Sequence, residues 1–255
     1  MSYVLLMQGD CLEKLKTVPD SSIHLVIADL PYGNTALKWD KNIDLALLWV
    51  ELKRVLVKRI KHADGTITKP GVALFFCMTH FKYAVYSSNP EWYRQDLVWE
   101  KSKKGGALGC NSKRLTGHES ILLFSSHNGT YNPQMRQGKP YRVKGAHQRF
   151  QQCAHNDSVK AVETINHGIR YPDTILKYKN SGGGHPTAKP IALIEDLIKT
   201  YSNEGDTVLD PTAGGGVVIE ACRKWGRKVI AIELDPAYFE MCQHRAVVPV
   251  QKELI

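Results

Sequence analysis

The segment Val208-Leu209-Asp210-Pro211-Thr212-Ala213-Gly214-Gly215-Gly216 constrains the fold more than any other part of the chain. Thr207 to Leu209 reads as a short strand, and Val217 to Trp225 reads as a helix that opens directly on the glycines. Consecutive glycines let the backbone turn through positive φ and let a ligand approach the main chain closely. The next strand, Lys228 to Ile232, ends in Glu233, where a carboxylate can accept hydrogen bonds from both ribose hydroxyls of a nucleoside. Strand, glycine turn, helix and acid-tipped strand together make the mononucleotide half of a doubly wound fold. The glycines do not follow the dinucleotide spacing, and no Lys-Ser or Lys-Thr follows them as in a phosphate loop. A tight turn with no ligand would use the same residues, so the turn alone does not define a chemistry.

The rest of the chain fits the same architecture. Tyr3 to Met7, Ile23 to Ala28 and Gly71 to Phe76 are apolar runs of strand length, the last two continuous as in strands buried on both faces. Cys11 to Thr17 and Leu45 to Val57 carry leucines at helical spacing. Strands alternating with helices predict a parallel sheet covered on both faces. Leu97 to Trp99 and Ser120 to Phe124 add further strands. Between about Ser125 and Ser181 the pattern degrades into a polar, basic stretch, which ends in the flexible joint Gly182-Gly183-Gly184. Regular order returns with a helix over Pro190 to Tyr201 and closes with a helix capped by Asp235 and running to about Arg245. The expected organisation is residues 1–124 and 182–255 as two halves of one domain, with 125–181 as an insertion.

The chain carries a net charge of +9. The surplus lies in the middle, where Lys103, Lys104, Lys113, Arg114, Arg136, Lys139, Arg142 and Lys144 face few acids. Basic clusters favour a polyanionic partner, because each phosphate contacted releases counterions. The six cysteines form no pair at metal-finger spacing, and a lone approach such as Cys153 to His155 does not make a zinc site. Reduced thiols, no apolar run of the ~20 residues a membrane span needs and no secretory signal predict a cytoplasmic protein without membrane contact.

A second constellation, Asp29-Leu30-Pro31-Tyr32, ends the buried strand at Ala28. Ligands of open α/β sheets bind outside the carboxyl ends of the strands. Pro31 restricts Leu30 to extended geometry, so the Leu30 carbonyl can turn outward beside the Asp29 carboxylate. Two acceptors then converge on one small site, as an amino group with two hydrogens requires. Tyr32 offers a flat face for stacking a base drawn out of a duplex. A strand-end turn with a packing tyrosine is the alternative for this tetrapeptide taken alone.

With these residues the chain resembles the amino-DNA methyltransferases, in which an Asp/Asn/Ser-Pro-Pro-Tyr tetrad and an Asp-Pro-Phe-x-Gly-x-Gly turn recur. The tetrad precedes the turn, the order of the beta class. His185-Pro186-Thr187-Ala188-Lys189-Pro190, Gly9-Asp10, His118-Glu119 and Glu233 match further features of that class. The resemblance runs from about Tyr3 to Arg245, outside the insertion. It departs at Leu30, which replaces the first proline but keeps the main-chain carbonyl. It departs again at Thr212, which replaces an aromatic wall of the cofactor site.

The resemblance implies a doubly wound, mostly parallel Rossmann-like methyltransferase sheet, circularly permuted, with 125–181 for target recognition. It implies S-adenosylmethionine as methyl donor, no metal, and double-stranded DNA as partner. It implies direct methyl transfer to an exocyclic amino group of a flipped base, with Asp29, Leu30, Pro31 and Tyr32 catalytic. It implies cofactor roles for Asp10, Thr187, Asp210, Thr212, Gly214, Gly216 and Glu233, and for Lys189 as partner of the methionine carboxylate. Asp at the head of the tetrad points to N6 of adenine. N4 of cytosine, a methyltransferase acting on a protein amide or small molecule, and a non-catalytic DNA-binding protein stand as alternatives. A homodimer and a cognate restriction nuclease are left open, as is the setting: restriction-modification, phage self-protection or regulation.

Overall fold

The computed structural model describes residues 3–32, 43–143, 163–180 and 189–248. Thr187 and the rest of 181–188, Cys153 and His155 therefore lie outside the described residues. In chain order the elements are β1 (Val4–Gln8), α1 (Cys11–Leu15), β2 (Leu25–Ala28), α2 (Leu45–Val55), β3 (Ile60–Lys61), β4 (Ile67–Thr68), β5 (Val72–Cys77), α3 (Thr79–Ser88), β6 (Tyr93–Gly105) and β7 (Thr116–Phe124). They continue with β8 (Arg136–Gln137), β9 (Tyr141–Val143), β10 (Thr164–Asn166), β11 (Ile169–Arg170), β12 (Ile175–Tyr178), α4 (Ile191–Tyr201), β13 (Thr207–Asp210), α5 (Val217–Lys224), β14 (Lys228–Glu233) and α6 (Pro236–Val247).

Eight strands form one sheet in the order β1-β14-β13-β2-β5-β7-β6-β12. All neighbours are parallel except those of β7, which runs antiparallel to both β5 and β6. The sheet is thus the mostly parallel one expected, with β7 reversed because a hairpin joins it to β6. The first strand lies beside the last, with Val4 opposite Val229 and Gln8 opposite Glu233. That is the arrangement a circular permutation needs.

Strand alternation divides the core between two faces. Leu25, Ile27, Val72, Leu74 and Phe76 pack with α4 and α5 through Leu193, Ile194, Leu197 and Ile219. Val26, Ala28, Ala73, Phe75 and Cys77 pack on the other face with α1 and α2 through Leu15, Leu48, Trp49 and Leu52. Each such large apolar side chain contributes about 1.5–3 kcal/mol of burial free energy. The continuous apolar runs of β2 and β5 reflect this coverage of both faces. Three N-caps hold helices where the sequence placed them: Asp10 accepts from Leu12 and Glu13, Asp44 from Ala46 and Leu47, and Asp235 from Ala237 and Tyr238.

The chain divides into two compact units, residues 1–132 with 174–255, and residues 133–173. The smaller unit holds two short antiparallel pairs, β10 with β9 and β11 with β8. Arg142 pairs with Glu163 at 2.5 Å, and the Arg170 guanidinium lies 4.5 Å from the centre of the Tyr141 ring. Tyr171, Ile165 and Val143 are exposed. The stretch 174–180, read in sequence as part of the irregular insertion, belongs to the larger unit and supplies edge strand β12. Among that strand's residues Leu176 alone is buried, so its apolar signal is weak.

Candidate active site

Asp29 follows β2 at the carboxyl edge of the sheet, and Leu30 is buried behind it. Around the Asp29 carboxylate the fold assembles two anions, two cations and a phenol. Lys189 Nζ lies 2.6 Å from Asp29 Oδ2 and 3.2 Å from Glu119 Oε1. Lys101 Nζ lies 2.9 Å from Glu119 Oε2. The Tyr32 hydroxyl is 3.0 Å from Asp29 Oδ1 and 3.0 Å from Glu119 Oε1, and donates to one of them at a time. The Tyr32 ring packs on Phe81 with centroids 4.8 Å apart.

Burial sets the energetics of this cluster. Glu119 is 2% exposed and the Lys189 side chain 10%, while a third of the Asp29 side chain, 34%, meets solvent. Burial alone would push the Glu119 carboxyl up, but Lys189 and Lys101 overcome it and hold the pKa below its usual value. Burial would likewise lower the Lys189 ammonium, and Asp29 and Glu119 reverse this into a rise. Burial, with the charges of Asp29 and Glu119 beside it, drives the Tyr32 phenol far above its usual range, so it serves as a hydrogen-bond donor. Formal charges in the quartet Asp29, Glu119, Lys101 and Lys189 cancel.

The glycine turn has a different character. Gly216 is the N-cap of α5 with φ +75°, and a Cβ there would sit 3.2 Å from Cys242 Sγ. Gly214 has φ +51°, and a Cβ there would point into open space. Glu233 pins the turn by accepting from the Gly214 N–H at 2.7 Å and from the Asp235 N–H at 2.8 Å. Asp210 is 4% exposed and accepts from the Thr212 N–H at 3.2 Å. Burial pushes its pKa up to about 8, the Thr212 hydrogen bond opposing the rise and the Glu233 and Asp29 charges adding to it. Among the described residues no ion pair reaches Asp210 or Glu233.

The two constellations share one cleft, whose walls include Asp29, Lys189, Asp210, Thr212 and Gly214. Thr212 joins them directly, its hydroxyl donating to the Asp29 carbonyl at 3.1 Å. These two residues, 183 positions apart in the chain, are neighbours because β13 pairs with β2. Gly9, just after β1, reaches the same edge and donates to the Glu233 carbonyl at 2.9 Å, while the Asp10 side chain caps α1. Lys189, expected to meet a cofactor carboxylate, lines this cleft and engages Asp29 and Glu119. Sequence reasoning did not select Glu119 or Lys101 as site residues. The signal present was a carboxylate at the start of the otherwise apolar run Ile121 to Phe124.

An α/β sheet with a glycine turn and a polar acceptor cluster at adjacent strand ends is a Rossmann-like fold, and solved structures agree. The M1.HpyAVI–SAM complex superposes with a TM-score of 0.60 at 19% identity, covering 96% of this chain and 100% of that one. The PvuII DNA methyltransferase (cytosine-N4-specific) gives 0.63 at 16% identity, covering 97% of this chain and 88% of that one. The chain belongs to the DNA methylase family of N6/N4 methyltransferases, whose model matches residues 23–244. Among its relatives, the Type II methyltransferase M.HpaI of Haemophilus parainfluenzae is 27% identical over 94% of this chain and 73% of its own length. The Type II methyltransferase M.HinfI of Haemophilus influenzae is 27% identical over 94% of this chain and 67% of its own length. No described helix is long and apolar enough to cross a membrane.

Proposed function

We propose that this member of the family transfers a methyl group from S-adenosylmethionine to N6 of adenine in double-stranded DNA, with the target base flipped out of the helix. The observation that carries the reading is the convergence of Asp29 and the glycine turn on one cleft. S-adenosylmethionine fits the turn: it brings a ribose, a sulfonium and an ammonium to a place where, among the described residues, two carboxyl groups meet backbone donors and no cation. Glu233 would hold the ribose hydroxyls, with Asp210, Thr212, Gly214 and Gly216 forming the cradle, and with Asp10 and Thr187 also assigned to it. When bound, the cofactor supplies an electrophilic methyl group.

The chain's own residues prepare the nucleophile. An aromatic amine reacts poorly because its lone pair is delocalised into the ring. Asp29 and the Leu30 carbonyl accept its two N–H bonds, favouring a tetrahedral nitrogen and stabilising the positive charge that develops on it. Pro31 fixes the Leu30 backbone, and Tyr32 stacks on the base. Lys189 holds the Asp29 carboxylate in its orientation, which is the role its contacts support. The remainder is positioning, which can supply about 7–11 kcal/mol of barrier lowering. Within 125–181, the unit at 133–173 would read the target sequence, since its Arg and Asn side chains suit phosphates and base edges.

Methylation of cytosine N4 is the second reading, favoured by the fold shared with the cytosine-N4-specific PvuII enzyme. The test incubates the purified protein with unmethylated DNA and labelled S-adenosylmethionine, then identifies the labelled nucleoside by mass spectrometry. N6-methyladenine is expected. N4-methylcytosine would overturn Asp29 as base selector, and label on no base would overturn DNA as the substrate.

A further inference from the structure

The connection between β6 and β7 is longer than a hairpin needs. From Gln95 onward, pairing runs as far as Glu100 opposite His118, then resumes, after a register shift, at Gly105 opposite Thr116. Between Lys101 and Glu119 the chain contains no Asp or Glu, but it contains Lys103, Lys104, Lys113 and Arg114. All four are exposed. The ion pairs of this strand end at Lys101–Glu119 and Glu100–Lys177, and among the described residues none reaches the four cations.

At the tip, a short 3-10 turn over Ala107–Gly109 carries Leu108, whose accessibility of 109% makes it fully exposed. A single exposed leucine is ordinary on a protein surface. This one tops an arm ringed by positive charge, and the arm emerges beside the active site. Because β7 is antiparallel to both β5 and β6, β6 runs parallel to β2, and its end lies at the same edge of the sheet as Asp29. The base of the arm is anchored in the site by Lys101 on Glu119. Asn180 steadies it, accepting from the Ser102 hydroxyl and the Lys103 N–H at 3.0 Å each.

We propose that residues 102–116 form a DNA-binding arm in which Lys103, Lys104, Lys113 and Arg114 grip backbone phosphates and Leu108 inserts into the base stack beside the target. The charge matches a phosphate backbone. An apolar wedge at a base step is a general means of unstacking a duplex, and it would occupy the gap left by an extruded base. The inference rests on the DNA-methylation reading.

The test uses the full chain, labelled S-adenosylmethionine and duplexes carrying the site that the wild-type protein modifies. Replacing Lys103, Lys104, Lys113 and Arg114 together by Gln should raise KM for DNA about tenfold or more. It should also flatten the log–log salt dependence by up to about 3.6, at about 0.9 for each phosphate left without its cation. Leu108→Ala should slow methylation of a matched duplex about tenfold and regain wild-type speed when the target base is mismatched, since a mismatched base costs less to extrude. A quadruple variant with wild-type KM and salt dependence would overturn the grip. A Leu108→Ala defect equal on matched and mismatched duplexes would overturn the wedge. A changed oligomeric state in Leu108→Ala with unchanged DNA kinetics would also overturn it, by assigning the tip to a second copy of the chain. If the wild-type protein methylates no DNA, the functional reading falls and the arm with it. If the wild type methylates DNA and the variants match it, the arm alone falls.

Discussion

The two halves of the cleft treat charge in opposite ways. Around Asp29 every charged group has a partner: Lys189 bridges two carboxylates, Lys101 holds one of them, and Tyr32 spans both. Around the glycine turn, the donors to Asp210 and Glu233 among the described residues are backbone N–H groups. The first region is balanced before any substrate arrives, so its geometry is fixed in advance. The second keeps the Glu233 carboxylate without a cation and holds Asp210 protonated near neutral pH, so it gains most when a positively charged molecule binds. Preorganisation and affinity are thereby placed in different parts of one site.

Breaking the balanced side should have the largest effect. Glu119→Gln leaves Lys189 with Asp29 alone and takes from Lys101 the carboxylate it pairs with, and removing one member of a buried pair costs about 3–5 kcal/mol. Thermal or urea unfolding at pH 7 should show this loss. The folded-state pKa of Glu119 is depressed, so its contribution is present above the unfolded value of 4.5 and is lost as pH falls through the folded value below it. The difference between wild type and variant should therefore close in acid. A difference that persisted unchanged there would mean that packing, not charge, is what Glu119 supplies.

Asp29→Ala should come next, lowering kcat about 100- to 1,000-fold, the usual cost of one preorganised polar contact to a transition state. Cofactor affinity, read by calorimetry, should stay at the wild-type level. An equal loss of cofactor binding would dissolve the division between the halves.

On the unbalanced side the effect expected first is a slope of stability with pH. Asp210 has its folded-state pKa raised from 3.8 to about 8, so the folded protein holds a proton that the unfolded chain has released. Stability without cofactor should therefore fall as pH rises from about 4 to about 8. Asp210→Asn should flatten that slope in melting curves taken across the range, and an unchanged slope would assign it to another group. The smallest effect is expected from Gly214→Ala. A left-handed residue other than glycine costs about 1–2 kcal/mol, and the added methyl meets no protein atom. Cofactor affinity should fall more than stability does. A stable variant with full affinity would show that the cofactor does not approach the turn at Gly214.

These contrasts also explain what could be read from sequence. The strands, the glycine turn and the tetrad were legible because each is written in adjacent residues: a continuous apolar run, a proline that restrains its predecessor, three glycines before a helix. The reversal of β7 was not written locally, since an antiparallel strand buried on both faces has the same apolar run as a parallel one. Glu119 lies 87 positions from Tyr32, and Lys189 lies 160 from Asp29. Nothing near either residue says that a buried carboxylate will gather two lysines. The edge strand β12 was absorbed into the basic stretch before it because an edge strand buries little. Asp10 shows the reverse case, a residue legible in two ways, whose side chain caps a helix in the structure.

The pairing of β2 with β13 also governs when the protein becomes competent during synthesis. Val26 of β2, three residues before Asp29, takes Leu209 as its neighbour, and β1 waits longer still for β14. Chains emerge amino end first, and contacts this distant in sequence form late and slowly. The segment Asp29 to Tyr32 gains β5 on one side early, yet its other side stays open until β13 and the glycine turn are made. A chain that has not yet made β13 therefore carries Asp29 without the glycine turn beside it, and methylation begins only once the two strands have paired.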